Sequence, residues 1–136
     1  MTLMATCEPG DTVLIIGPCW SSYFEICHML HLRVWYKNDL PRHIFNSVSA
    51  VLFNNPNNPT GRVYDKEFCD KLHQVCVECN CWLISDEIYS DIVYDNIHLE
   101  SMKNKENVIY INGFSKNYCL TGWRFGYAIS DSELIK

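Results

Sequence analysis

The sequence predicts an α/β fold in which a mostly parallel sheet is covered by helices on both faces. Short runs of apolar and β-branched residues recur along the chain without alternating polar residues, a pattern typical of strands buried on both faces. Segments with the apolar spacing of amphipathic helices lie between these runs. The chain has 136 residues, of which 48% are hydrophobic, so it fits one globular domain or a large piece of one.

The first half of the chain predicts three strands and one helix. Residues 12–16, TVLII, form a β-branched run that a Gly-Pro pair ends. A pair of serines beginning at Ser21 can cap a helix that continues to about Leu32. The second and third strands are predicted at residues 33–36 and 49–53.

The second half predicts one longer helix and three more strands. Residues 54–61, NNPNNPTG, form a loop, and Asp65 is a candidate N-cap for a helix that runs to about Asn80. The three strands are predicted at residues 81–85, 108–112 and 125–130.

Charge and composition exclude several classes of protein. The formal net charge is −5, which does not favour an extended basic surface for nucleic acid. No apolar run approaches the roughly 20 residues that a membrane-spanning helix needs. The N-terminal residues lack the basic and apolar regions of a secretory signal, so we expect a cytoplasmic location.

Five residues of the types that bind metals cluster in the longer helix and just after it, namely Cys69, His73, Cys76, Cys79 and Cys81. Helical spacing places three of them on neighbouring faces, so a zinc site is conceivable. The same cysteines also follow the apolar stripe of the helix, and the second half of a CxxC pair of motifs is missing. We therefore predict that they pack in the core as reduced thiols and that no metal binds.

Polar and aromatic side chains follow four of the predicted strands. In parallel sheets, ligands bind beyond the carboxyl ends of the strands, so we expect these side chains to form one site. An amine, a carboxylate, hydrogen-bonding groups, a flat aromatic face and a guanidinium group suit one cofactor, pyridoxal 5′-phosphate. The side chains are Trp20, Asn58, Asp86, Tyr89, Ser115, Lys116 and, further on, Arg124.

Three motifs resemble those of the fold-type I aminotransferases, in the class I/II branch that contains the aspartate and aromatic aminotransferases. They are NNPNNPTG at residues 54–61, SDEIYSD at 85–91 and GFSKNYCLTGWRFGY at 113–127. Each motif follows a predicted strand, which makes the set more specific than any one of them. The resemblance covers nearly the whole chain.

The resemblance implies a role for each residue that contacts the cofactor ring. Lys116 would form a Schiff base with the cofactor and later carry a proton between the substrate Cα and the cofactor. Asp86 would pair with the pyridinium nitrogen, while Tyr89 and Asn58 would donate to the ring oxygen. A nucleophilic amine needs partial shelter, which the aromatic and hydroxyl neighbours of Lys116 predict.

The resemblance also implies which residues hold the phosphate and the ring face. Arg124 would clamp the phosphate, Ser115 could add a hydroxyl group, and Trp20 would stack on the ring. Many relatives carry a phosphate-binding serine three residues before the lysine. This chain has Gly113 there, so the resemblance assigns no side chain to that phosphate contact. Taken singly, each residue also fits a structural role, such as a surface lysine, a helix-capping aspartate or a core tryptophan.

Family members are longer than this chain. The resemblance implies that one edge strand of the sheet and the phosphate-cradling loop precede Met1. It also implies that a small domain, with the arginine that grips the substrate α-carboxylate, follows Lys136. We therefore interpret residues 1–136 as part of the cofactor-binding large domain, without the means to recognise substrate.

The function predicted for the full enzyme is transfer of an amino group between an amino acid and a 2-oxo acid. Family members are typically homodimers, so a homodimer is expected. Two alternatives stay open. One is a related pyridoxal-phosphate enzyme, either a carbon–sulfur lyase or an enzyme like aminocyclopropane carboxylate synthase, and the other is a catalytically inactive relic.

Overall fold

A six-stranded sheet forms the centre of the computed structural model, which describes residues 1–40, 42–131 and 134. In chain order the strands are β1 (Thr12–Ile16), β2 (Arg33–Lys37), β3 (Ala50–Asn54), β4 (Trp82–Asp86), β5 (Val108–Gly113) and β6 (Gly126–Ile129). Their order across the sheet is β2-β1-β3-β4-β5-β6. All neighbouring pairs are parallel except β5 and β6, which are antiparallel. The predicted mostly parallel sheet is confirmed.

Two longer helices and two short ones accompany the sheet. They are α1 (Thr2–Thr6), α2 (Ser22–Met29), α3 (Lys66–Glu78) and α4 (Phe114–Asn117), with 3₁₀ turns at Arg42–Ser47 and Thr121–Trp123. Within the described ranges, none of the helices is both long enough and apolar enough to cross a membrane.

The ends of the two longer helices follow local chemistry. The Asp65 side chain accepts a hydrogen bond of 2.8 Å from the Phe68 backbone N–H, which confirms the predicted N-cap of α3. Asn80 ends that helix with a φ of 51°, a left-handed conformation that asparagine tolerates. Helix α2 ends at Met29, earlier than predicted, because His31 adopts a φ of 56° and breaks the helical path.

Apolar side chains on the central strands alternate between two cores. On one face of the sheet, β1, β3 and β4 pack against α3 through Leu14, Ile16, Val51, Phe53, Cys69, Leu72, Cys76 and Leu83. On the other face, the same strands pack against α2 through Val13, Ile15, Tyr23, Cys27, Ala50, Leu52 and Ile84. Strands β1 and β3 are buried at every residue.

The two outer strands are more exposed than the central ones. Strand β2 is mostly exposed, with Trp35 at 37% and Tyr36 at 43% exposure, and β6 is exposed at three of its four residues. The packed contacts of α2 and α3 centre on β1, β3 and β4. Helix α2 also reaches β2, where the Phe24 and Tyr36 rings lie with centroids 5.7 Å apart, so that strand is partly covered. The predicted covering of the sheet by helices is confirmed, and it is tightest over the central strands.

The cysteines near α3 are core residues. Cys69, Cys76 and Cys81 are buried, and burial raises the pKa of Cys69 to about 12, so its thiol stays protonated. The His73 imidazole Nε2 lies 2.9 Å from the Glu106 carbonyl oxygen. In the part of the chain that the structure describes, no three such side chains are arranged to hold a metal ion. Core packing of these three cysteines is thus confirmed.

A buried carboxyl group secures the long connection between β4 and β5. Glu87 is 1% exposed, and its Oε1 accepts hydrogen bonds from the Ser85 hydroxyl at 3.0 Å and the Met102 N–H at 2.8 Å. Burial raises the pKa of Glu87, and these hydrogen bonds oppose the rise only in part. Glu87 lies outside the cavity described below, so its role is to hold the connection against the core.

Substituting Glu87 by glutamine tests the cost of this buried charge. The native protein binds the Glu87 proton more tightly than the unfolded chain does, so its stabilising contribution is complete below the ordinary pKa of 4.5. That contribution is lost as the pH rises through the higher native pKa. Glu87→Gln keeps an oxygen acceptor and cannot ionise. Urea unfolding should show that the variant loses less stability than wild type between pH 4.5 and pH 8.

The exposed Glu8 provides the matched control, because Glu8→Gln removes a carboxyl group that is not buried. We expect its stability profile to follow that of wild type. If the stability of Glu87→Gln also follows the wild-type pH profile, the interpretation that ionising the buried Glu87 costs stability is contradicted.

Close backbone approach explains the glycine at the end of β5. Gly113 pairs with Gly126 across β5 and β6. A Cβ atom on Gly113 would lie 2.9 Å from the Phe125 carbonyl oxygen and 3.2 Å from the Gly126 Cα. Backbone atoms cannot move away as a flexible side chain would, so this position favours glycine over a phosphate-binding serine.

Gly113→Ser should therefore reduce the free energy of unfolding by about 1–3 kcal/mol, as overpacking does elsewhere. Gly122→Ser is the control, because a Cβ atom at Gly122 would meet nothing within 4 Å. Chemical denaturation of both variants checks the prediction. An equal loss of stability in the two would show that close approach at β6 is not the cause.

Candidate functional site

A cavity of about 430 Å³ lies where the carboxyl ends of the central strands meet. All seven predicted site residues line it: Trp20, Asn58, Asp86, Tyr89, Ser115, Lys116 and Arg124. The parallel strands produce this convergence, because β3, β4 and β5 end at the same edge of the sheet.

The loop after β3 holds Asn58 through its own asparagines. The Asn54 side chain accepts a hydrogen bond of 2.6 Å from the Asn58 N–H. Asn57 donates to the Pro18 carbonyl oxygen at 2.7 Å and accepts from the Thr60 hydroxyl at 2.7 Å. These bonds tie the loop to the segment after β1, so the position of Asn58 is fixed from two sides.

Asp86, the last residue of β4, presents a carboxylate held at both oxygens. Its Oδ2 accepts a hydrogen bond of 2.5 Å from the Tyr23 hydroxyl, and its Oδ1 accepts one of 3.2 Å from the Ile88 N–H. Burial raises the pKa of Asp86, while these two hydrogen bonds to the charged form lower it. The site therefore contains a half-buried carboxyl group that is costly to ionise without a partner.

An amide, a phenol and an amine lie together on another part of the lining. The Asn58 side-chain nitrogen donates to the Tyr89 hydroxyl at 3.3 Å. The Lys116 Nζ lies 5.8 Å from the centre of the Tyr89 ring, within range of a cation–π contact.

Lys116 itself is exposed, contrary to the expected shelter. It stands on the single turn of α4, and the aromatic residues that follow it are exposed as well, so they do not cover the amine. The sequence pattern of aromatic neighbours indicated shelter, but in this chain those neighbours face outward.

Arg124, Ser115 and Trp20 complete the predicted set. The Arg124 backbone is left-handed, with a φ of 53°, and its Nη1 donates to the Thr121 carbonyl oxygen at 3.2 Å. Ser115 is half-buried. Trp20 is 45% exposed, and its ring meets the Tyr23 ring edge-on with centroids 5.6 Å apart.

Sequence reasoning missed several residues of the lining, including Tyr23, Asn54 and Asn112. Tyr23 follows Trp20 by three residues, about one helical turn, and that spacing is a signal that could have found it. Asn112 lies at the end of a buried strand and donates to the Tyr110 hydroxyl at 2.6 Å. A buried amide at a strand end indicates a polar partner in the fold, although not which one.

Comparison with known proteins gives relatives that match across this chain. A probable aspartate aminotransferase of Methanocaldococcus jannaschii is 36% identical over 146 aligned residues, covering 100% of this chain and 39% of that protein. A Thermus thermophilus aspartate/prephenate aminotransferase is 36% identical, covering 97% of this chain and 38% of that protein. The chain thus spans less than half the length of these relatives.

A solved structure also matches nearly the whole chain. The carbon–sulfur lyase of Staphylococcus hominis, determined with PLP bound, superposes with a TM-score of 0.89 at 26% identity, covering 98% of this chain and 39% of that one. The family profile described as aminotransferase class I and II matches residues 1–136, the entire chain. The chain therefore belongs to the aminotransferase class I and II family.

Proposed function

We propose that this chain provides the cofactor-binding part of a pyridoxal-5′-phosphate-dependent aminotransferase, which moves an amino group between an amino acid and a 2-oxo acid. The family membership supports this proposal. The observation that carries it is the convergence of the Lys116 amine and the half-buried Asp86 carboxylate on one cavity.

The residues present fit the cofactor. When bound, pyridoxal phosphate supplies an aldehyde that bonds to amines and a cationic ring that draws electrons from the substrate Cα. Asp86 is half-buried, and among the described residues it takes part in no ion pair with lysine, arginine or histidine. A cationic ring nitrogen would offset the cost of burying its charge, which is the role we propose for Asp86.

Tyr89 and Asn58 supply donors for the ring oxygen. Their polar groups lie 3.3 Å apart, so both can reach a single oxygen atom between them. Two donors aimed at one oxygen stabilise its anionic form. We propose that this pair orients the ring, with Trp20 packing on its face.

Arg124 and Ser115 form the proposed phosphate contacts. One N–H of the Arg124 guanidinium group donates to the Thr121 carbonyl oxygen. The planar group has further N–H donors, whose geometry suits a phosphate. The Ser115 hydroxyl lines the same cavity. Gly113 cannot add a third side chain without a clash with β6.

Lys116 is the proposed nucleophile and proton carrier. In its neutral form the Nζ atom can bond to the aldehyde carbon. With the cofactor bound, Lys116 would hold its aldehyde group and would serve as the base and acid that moves the proton of the substrate Cα. The Nζ atom lies 5.8 Å from the centre of the Tyr89 ring, and both residues line the cavity.

Recognition of the substrate requires groups beyond these. Of the described residues that line the cavity, Arg124 is the only arginine, and we assign it to phosphate. We therefore propose that the α-carboxylate of the amino acid is bound by another part of the full enzyme. We expect that enzyme to be a cytoplasmic homodimer, as family members typically are.

A carbon–sulfur lyase is the second candidate, because the Staphylococcus hominis lyase superposes as well as the aminotransferases do. Both reactions begin with removal of the same Cα proton, so the residues of this cavity serve either one. Measuring the products of the full enzyme separates them, since a lyase releases a thiol and an aminotransferase does not.

Trapping with borohydride tests the role of Lys116. Pyridoxal phosphate added to the chain and then reduced should become fixed to Lys116, because borohydride converts the bond between the amine and the aldehyde carbon into a stable one. Peptide mass spectrometry identifies the labelled lysine. Lys116→Ala should abolish the label, whereas Lys71→Ala, which changes an exposed lysine of α3, should leave it unchanged.

Labelling of another lysine in wild type, or equal labelling of Lys116→Ala, would overturn the assignment. Exposed lysines react weakly with any aldehyde, so the comparison is made at cofactor concentrations near that of the protein.

The isolated chain should catalyse no appreciable transamination of common amino acids. It holds the groups proposed for the cofactor, but the described lining offers no second arginine for the substrate carboxylate. Formation of 2-oxo acid from a panel of amino acids, measured with excess cofactor, checks this. Sustained turnover would show that substrate recognition is complete within these residues.

A further inference from the structure

We propose that Tyr23 is a positioning residue, whose hydroxyl group keeps the Asp86 carboxylate ionised and fixed for a cationic ring nitrogen. The inference rests on the proposed function for the identity of that ring. Tyr23 belongs to none of the three motifs, and its role follows from its place in the fold.

The geometry fixes both oxygens of the carboxylate from different elements. Tyr23 lies in the first turn of α2 and is 6% exposed, and its hydroxyl donates to Oδ2 at 2.5 Å. The Ile88 N–H, from the segment after β4, donates to Oδ1 at 3.2 Å. Two donors from separate elements prevent rotation of the carboxylate plane. Each oxygen keeps a further lone pair for a ligand in the cavity.

The Tyr23 hydroxyl also affects the ionisation of Asp86. Burial favours the protonated form of Asp86 and raises its pKa, while the hydrogen bond from Tyr23 favours the ionised form and lowers it. Burial, together with the nearby Asp86, also raises the pKa of Tyr23 itself. The phenol therefore keeps its proton and acts as a permanent donor.

The other titratable groups around this pair do not replace that donor. Tyr89, Lys116 and Arg124 line the same cavity, and the two cations are exposed, where solvent screens them. Cys19 lies near Tyr23 and is half-buried, and burial raises its pKa, so it stays neutral. Tyr23 is the one side-chain donor to the Asp86 carboxylate among the described residues.

Tyr23→Phe isolates the hydroxyl group. The ring of Tyr23 packs in the core and meets Trp20 edge-on, and phenylalanine preserves both contacts. Tyr94→Phe is the matched control, because Tyr94 is 72% exposed and lies outside the cavity.

The first measurement needs no cofactor. Carbon-13 NMR of the aspartate carboxyl groups in the 136-residue chain, with the Asp86 signal identified by its loss in Asp86→Asn, gives the pKa of Asp86 directly. In Tyr23→Phe this pKa should rise by about one unit, roughly a tenfold change in proton affinity. Tyr94→Phe should leave it unchanged.

The second measurement is the dissociation constant of pyridoxal phosphate from pH 5 to pH 8, followed by absorbance. Tyr23→Phe should weaken binding several-fold toward acidic pH, about tenfold at most, because more of Asp86 is then protonated. The same substitution in an Asp86→Asn background should have no further effect, since the hydroxyl acts through Asp86.

The outcomes are distinct. A pKa of Asp86 that is unchanged in Tyr23→Phe overturns the inference, as does an equal loss of affinity in the Asp86→Asn background. If wild type binds no pyridoxal phosphate, the proposed function fails, and the NMR titration still decides whether Tyr23 keeps Asp86 ionised.

Discussion

Parallel pairing of β3 with β4 is the constraint on which the site depends. The register places Asn54 opposite Asp86, and the Asn54 side chain donates to the Asp86 carbonyl oxygen at 2.8 Å. Both strands therefore end at the same level, and the loops that carry Asn58 and Tyr89 start side by side. A slip of one residue would turn Asp86 to the opposite face of the sheet.

Burial of polar groups at this edge shapes the rest of the structure. Parallel strands leave carbonyl groups, amides and carboxyl groups at their ends, and each must find a partner or lose stability. Asn54 donates to the Asp86 carbonyl oxygen of β4, and Asn57 donates to the Pro18 carbonyl oxygen after β1. Asn112 donates to the hydroxyl groups of Tyr110 and Ser90. Glu87 is also buried, and it accepts hydrogen bonds at Oε1, whereas its Oε2 has no partner among the described residues. The site is thus rigid near the strands and more open around α4, where Lys116 is exposed.

The electrostatic character of the site follows from the same burial. Asp86 lies deep enough for water to stabilise its charge poorly, so neighbouring donors govern its ionisation. Arg124 and Lys116 stand in contact with solvent, where positive charge costs little. A ligand with an anionic group near the mouth and a cationic nitrogen at Asp86 would complement this arrangement, as the proposed cofactor does.

The sequence by itself determined the strands, the Asp65 cap of α3 and the convergence of seven residues on one edge, because these depend on local patterns and on the rule that parallel strands end together. The predicted serine cap of α2 is not formed, since Ser21 makes no side-chain hydrogen bond to the helix. The bounds shifted by a few residues where His31 and Asn80 turn the backbone. Only the tertiary structure decided which strands are exposed and that Lys116 lacks cover. It alone showed that Gly113 faces the β6 backbone and that Tyr23 reaches Asp86, 63 residues away in the chain. Such contacts join distant segments, and neither periodicity nor spacing along the chain records them.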